Sequence, residues 1–534
     1  MTTVELPRPE AARRRGTGAT PVLPPVVAAA AALIGVVAGW RGTDLPAQLY
    51  RITMFHRNGM ALWDPQWFGG HWALAYSVVY PPIAGTIGVT VTAVASAAGA
   101  ALAFDRLVME RFGPTARVGS LLFAVGTAQQ LSIGQLSFLM GEALALGACW
   151  GAARRRWALA AVLAAAASLA SPLAGGFLVL AGVALVLTAP PGERAPAVLV
   201  LAGAAIPVAA VAVMFSDPGP FPFSFVDFVF DVSVAVVMWM VAPREDRLLR
   251  TGAVLYVAAT VTCFAVHNPV GENVGRLAEC VAIPLGACVL WPRRRALFVV
   301  LAAPMALAVW VPAWGAISGR IAALPSTHRS YYAPLTAFLV AHDGPGGRVE
   351  VVPTAYHWEA AYVAPDVPLA RGWERQLDIA RDPLFYGGRL DASSYRAWLI
   401  ERGVRFVALP DAPLDVAGRR EAQLVEAGVP GLSPVWSDAH WLVFAVDGSD
   451  GVVSGPARVV HMSGGRVVLD VTSPGTVTLR VADGAHWQVT AGSGCATATA
   501  DGVDVAVPRP GTLTLAVGMR APRCKPSTSV AAPR

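Results

Sequence analysis

Over its first 314 residues the chain alternates between long apolar runs and short clusters of arginine. A helix needs roughly 20 mostly apolar residues to cross the hydrocarbon core of a bilayer. On that scale the runs predict about eleven spans, near 20–40, 80–104, 118–133, 135–153, 157–170, 172–189, 195–215, 225–242, 248–267, 277–291 and 296–314. The fold class expected is a polytopic α-helical membrane bundle. Several runs carry internal Pro or Gly, which break or bend helices.

Past residue 314 the pattern changes. Residues 331–342 (YYAPLTAFLVAH) predict a helix, and GGRVEVVP predicts a short strand behind a glycine turn. DASSYRAWLIERG has a Ser/Asp start and a Gly stop around an amphipathic helix, and VRFVALP follows as a buried strand. Together they predict a small α/β domain over 315–450. RVVLDVTS, GTVTLRVADG, HWQVTAG, GVDVAVPRPG and TLTLAVG then predict an antiparallel β-sandwich module over 451–520, followed by a disordered tail, 521–534.

The arginine clusters orient the bundle. Arg13, Arg14 and Arg15 precede the first run; Arg106, Arg111 and Arg117 lie between the second and third, and Arg154, Arg155 and Arg156 between the fourth and fifth. Arg194 follows the sixth, Arg244, Arg247 and Arg250 the eighth, and Arg293, Arg294 and Arg295 the tenth. If spans alternate, all six segments share one side, which the positive-inside rule makes the cytoplasm. The tail 1–19 is then cytoplasmic, and everything after Trp314 is extracytoplasmic. The expected location is the plasma membrane, with multiple passes. A basic stretch before an apolar one also fits a cleaved signal peptide; the length of the run favours a retained helix.

Composition excludes an ordinary soluble protein: 55% of the 534 residues are apolar, 14% are charged, and the mean hydropathy is +0.53. The net charge of +6 does not point to nucleic acid, because only Lys525 among 41 basic residues is a lysine and the arginines gather at helix ends. No P-loop, HExxH or GxGxxG motif and no metal-ligand spacing is present, so no cofactor is evident and a divalent-metal requirement is left open. Cys149, Cys263, Cys280 and Cys288 lie in apolar runs as small hydrophobes. Cys495 and Cys524 would form a disulfide if the C-terminal part faces an oxidising compartment.

The predicted external loop 41–79 is the richest in chemistry, with Asp44, Arg51, His56, Arg57, Asp64 and His71 among tryptophans. A carboxylate at Asp44, at the membrane surface, suits a general base toward a hydroxyl. On its local chemistry alone, Asp44 suits better a cap on a helix starting at Leu45, with Pro46 in the first turn. Trp63, Trp67 and Trp72 fit an interfacial aromatic belt better than a surface for a sugar or lipid. Arg276, at a helix start beside Asn273, fits a phosphate site, or an ion pair with Glu272 or Glu279. Glu142 lies inside a span and is expected to face the bundle interior. In the C-terminal part, His357, Glu359, Arg371, Trp373 and Glu374 cluster in HWEAAYVAPDVPLARGWERQLD, either at a substrate or as ordinary surface ion pairs.

The acidic residue after the first span, in RGTD, and the long external loop resemble the C-type (GT-C) membrane glycosyltransferases, which take sugars from polyprenyl-phosphate carriers. LWDPQWFGGHW and YSVVYPP are similar to a bacterial membrane-protein family labelled as related to 6-pyruvoyl-tetrahydropterin synthase, and to YfhO-type proteins, whose β-modules carry a Trp, here Trp487. The synthase label does not suit this chain, which lacks a zinc-binding histidine cluster. The GT-C resemblance implies that Asp44 activates the acceptor hydroxyl and that Arg276, with Arg51 or Arg57, steadies the donor phosphate. It implies as partners a polyprenyl-phosphate sugar, an envelope glycan or lipid acceptor, and membrane lipid. One acidic residue stands here where many relatives have a pair. A transporter or flippase, or a non-catalytic envelope-assembly protein, is the alternative; against a carrier, the two halves of the bundle show no internal repeat.

Overall fold

The computed structural model describes residues 22–216 and 219–518. The expected tails 1–19 and 521–534 lie outside the described residues. Among those described, six segments are long and apolar enough to cross a membrane: Val89–Ile133, Leu136–Ala153, Pro191–Met214, Arg247–Ala265, Gly271–Leu290 and Arg295–Ile317. Leu23–Val37, Trp157–Ala170 and Pro172–Thr188 are apolar but shorter. Val89–Ile133 comprises two helices, Val89–Phe112 and Arg117–Ile133, joined by one 3-10 turn.

The run expected as one span over 80–104 divides. A helix over Tyr80–Ile87 stops at Gly88, whose φ of +94° only glycine adopts readily, and a 24-residue helix starts at Val89. That helix continues past the expected end at residue 104 because Asp105 finds partners inside the bundle. Its carboxylate accepts from Arg117 at 3.0 Å and from Ser120 at 2.7 Å. Small residues bring the helices together: Ala28 and Ala32 of the first helix share a core with Ala97, Ala100, Ala101 and Ala124. Between apolar helices in lipid, close backbone approach supplies the attraction that water exclusion supplies elsewhere.

The loop after the first helix is structured. Leu45–Asn58 forms a helix with Pro46 in its first turn and Gly59 at its end. A two-stranded hairpin pairs Trp63–Asp64 with His71–Trp72. The hairpin closes tightly only because residue 70 is glycine: a Cβ there would lie 1.5 Å from the Trp63 ring, and its φ is +125°.

The C-terminal part sits on this loop. A helix, Arg329–Asp343, precedes a four-stranded sheet in which Val349–Val351 runs parallel to Phe406–Pro410. Trp441–Val446 and Leu432–Ser437 complete the sheet in antiparallel pairing. The helix Ala392–Glu401 lies between the parallel strands in sequence, as a parallel crossover requires, and its start is fixed by a reciprocal Asp391–Ser394 capping box. Two antiparallel four-stranded sheets follow. Their inward residues, among them Val467, Leu469, Val477, Leu479, Val503 and Leu515, form one apolar core. Cys495, at the start of a strand, is disulfide-bonded; Cys524, its expected partner, lies outside the described residues.

The tryptophans of the loop do not form the exposed belt that the sequence favoured. Trp63, Trp67 and Trp72 are 1%, 0% and 4% exposed. Trp67 and Phe68 enter the core of the first C-terminal sheet with Tyr332, Trp358 and Trp441, whereas Trp63 and Trp72 enter that of the sandwich. Apolar rings beside a second domain are removed from water by docking, which a bilayer interface does only in part.

Candidate functional site

The site is assembled where the first helix, the loop, the Arg276 helix and the C-terminal part meet. The Asp44 backbone N–H donates to Ile133 O at 2.9 Å, which ties the residue to the end of the neighbouring helix. Asp44 precedes the first turn of the Leu45–Asn58 helix, but its side chain makes no capping bond. Instead Oδ1 accepts from Thr43 Oγ1 at 3.3 Å, and Oδ2 accepts from the Arg276 guanidinium at 3.4 Å. Asp44 is 7% exposed. Burial raises its pKa above the ordinary carboxylate range, while Arg276 and the Thr43 hydroxyl act in the opposite direction.

Arg276 opens the helix Arg276–Leu290, directly after a 3-10 turn over Gly271–Gly275 that includes Asn273. Its ion pair among the described residues is with Asp44, not with Glu272 or Glu279. Its guanidinium carbon lies 5.8 Å from the centre of the Phe138 ring. Asn273 is half-buried in the turn, its N–H donating to Val270 O.

Arg51, two turns along the loop helix from Asp44, is committed elsewhere. It forms a buried ion pair with Glu374 of the C-terminal part and lies 3.8 Å from the centre of the Tyr76 ring. The next residue back, Trp373, donates its indole N–H to Thr43 O at 2.9 Å and stands edge-on to Tyr76. The segment in which the sequence singled out Trp373 and Glu374 therefore roofs Asp44. Tyr76 and Gln48 were missed. Gln48 Nε2 donates to the Tyr76 hydroxyl at 3.3 Å, and Gln48 Oε1 is buried without a partner. Gln48 stands four residues after Asp44, a helical spacing that places both on one side and was readable in advance.

The remaining loop candidates build the frame. Asp64 accepts from the Tyr50 hydroxyl at 2.6 Å and from the Gln66 N–H at 3.0 Å; its pKa is pushed up to about 6, chiefly by burial. His71 is buried and stacked on Trp67, and burial, with Arg51 and Arg381 nearby, holds its pKa well below the usual imidazole value. Arg57 donates to Pro365 O and pairs with Asp366 at 2.7 Å, joining the loop to the C-terminal part. His56 is exposed, with its ring 6.0 Å from that of Phe55. A cavity of about 40 Å³ between Arg51, Asp64, His71 and Pro82 admits little more than water.

No protein-family model matches this chain, and no curated protein matches it. A buried carboxylate beside a guanidinium, under two aromatic rings, can accept a proton from a neutral hydroxyl and offer a cation to an anionic leaving group. Among the described residues, no three of His, Cys, Asp and Glu come together as metal ligands.

Proposed function

We propose that the protein is an integral membrane glycosyltransferase that moves a sugar from a polyprenyl-phosphate carrier to a hydroxyl of an envelope glycan or lipid. In this reading the chain crosses the plasma membrane about eleven times, with its N-terminus in the cytoplasm and residues 315–520 outside. The observation that carries it is the Asp44 carboxylate: buried, relieved of capping and 3.4 Å from Arg276.

Asp44 takes the proton of the acceptor hydroxyl as the oxygen attacks the anomeric carbon. The new C–O bond forms as the bond from that carbon to the phosphate oxygen breaks, with inversion. The electron pair leaves on polyprenyl phosphate, whose charge Arg276 meets. A base with a raised pKa is the stronger base once ionised, and the neighbouring guanidinium helps keep it ionised. A guanidinium has five N–H donors, so Arg276 can hold the donor phosphate while it keeps Asp44 ionised. The rings of Tyr76 and Trp373 suit a sugar face.

The test is label transfer from a panel of radiolabelled polyprenyl-phosphate sugars to an envelope extract, using purified protein in lipid. Transfer that disappears in Asp44→Asn at unchanged expression is expected. Full activity in Asp44→Asn would overturn the role of the base. No transfer from any donor by folded protein would overturn the enzyme reading and leave a transporter, flippase or assembly protein.

A further inference from the structure

A cleft of about 770 Å³ opens among the bundle helices, and neither Asp44 nor Arg276 lines it. Its wall is almost wholly apolar, and its charged lining residues, Glu110, Arg111, Arg155 and Glu193, all lie at one end with Trp157. From that end it follows the Arg247–Ala265 helix from Leu248 to Tyr256 and the Arg276–Leu290 helix from Leu285 back to Leu277. Eight residues of helix measure about 12 Å, close to the roughly 15 Å depth of one leaflet's hydrocarbon.

We infer that this cleft is a binding site for an anionic phospholipid, with one acyl chain between the helices and the phosphate at Arg111 and Arg155. The shape suits a single chain entering from the charged end, and the charge selects the headgroup. Arg111 pairs with Asp246 and Arg155 with Glu193, yet their side chains remain 42% and 74% exposed, leaving donors for a phosphate. The chain segments that supply this end, 106–117, 154–156, 193–194 and 244–250, hold ten arginines against the four carboxylates Glu110, Glu193, Glu245 and Asp246. Such a surplus attracts acidic lipid. The site needs the bundle to lie in a bilayer but is independent of the transferase reading, because lipid retention is measured without any sugar.

Gly252 lines the cleft, and a Cβ built there meets no atom within 4 Å, so Gly252→Phe adds a ring beside the acyl-chain path without displacing backbone. The full chain is reconstituted in nanodiscs with equal phosphatidylglycerol and phosphatidylcholine, extracted, and its retained lipid counted by native mass spectrometry. Phosphatidylglycerol is expected to be retained in preference, and its retention is expected to fall in Gly252→Phe but not in Gly252→Ala. Preference for phosphatidylglycerol should also drop, by about fivefold per arginine, in Arg111→Gln and Arg155→Gln. Equal retention of the two lipids by the wild type, or undiminished retention in a folded Gly252→Phe, would overturn the site. Should Gly252→Phe fail to fold, the arginine variants decide: unchanged preference in both overturns it.

Discussion

The Arg276 guanidinium lies 3.4 Å from the Asp44 carboxylate, although 232 residues separate the two in sequence. Each residue answers the question that the sequence left open about the other. Asp44 turns away from the capping role available to it, and Arg276 bypasses the glutamates on its own segment. Asp44 is buried, with its side chain 9% exposed, and the pair reaches solvent only through Arg276, whose side chain is 20% exposed.

Arg276→Gln tests the coupling. Burial raises the Asp44 pKa and Arg276 opposes the rise, so removing the cation should raise it further. Activity that needs ionised Asp44 would then fade at a higher pH on the acid side. On the proposed mechanism, the acid limb of the transfer rate against pH moves upward, and the rate above it falls about a hundredfold. An acid limb that stays in place would show that Arg276 does not govern Asp44.

Glu374→Gln addresses the roof. Arg51 and Glu374 are a buried pair, with side chains 6% and 7% exposed. Removing one charge strands the other and should cost about 3–5 kcal/mol, whereas Arg51→Met with Glu374→Leu should cost much less. Thermal melting of the purified chain measures both; equal losses would contradict a charge-pairing role.

The His357 imidazole gives a stability signature with pH. Burial disfavours its charge, but hydrogen bonds to Asp415 and Glu359 outweigh that and lift its pKa to about 9. A pKa raised from 6.5 on folding stabilises the protein fully below about pH 6.5, and the contribution is lost as pH rises through about 9. The wild type should exceed His357→Gln by the order of 3 kcal/mol at pH 6, with the gap closing toward pH 10. A gap that is flat with pH, in paired melting curves, would show that the imidazole is not charged in the fold.

Gly70→Ala probes the hairpin on which the C-terminal part rests. The added methyl would meet the Trp63 ring in a backbone region hostile to a side chain. A loss above about 3 kcal/mol is expected, read as a lower melting temperature. An unchanged melting temperature would mean that the hairpin does not support the fold as described.

Some features were legible because they are local. Apolar runs mark helices by length, alternation marks the strands of the sandwich, and Asp391 with Ser394 marks a helix start. Asp44 stood out because a carboxylate after an apolar helix is costly without a purpose. The break at Gly88 was less legible, since glycine within an apolar run is often tolerated in membrane helices and its φ is not written in composition.

The sequence by itself determined an apolar helical bundle, a following β-rich part and a short set of charged residues worth suspecting. Only the tertiary structure decided how those residues are used: Arg51 joined to Glu374, Arg57 to Asp366, Trp67 buried between Tyr50 and His71, and Asp44 facing Arg276. The reason is the range of the forces. Helix and strand patterns arise from neighbours a few residues apart, whereas burial and ion pairing depend on which distant segment the fold brings back to cover each side chain.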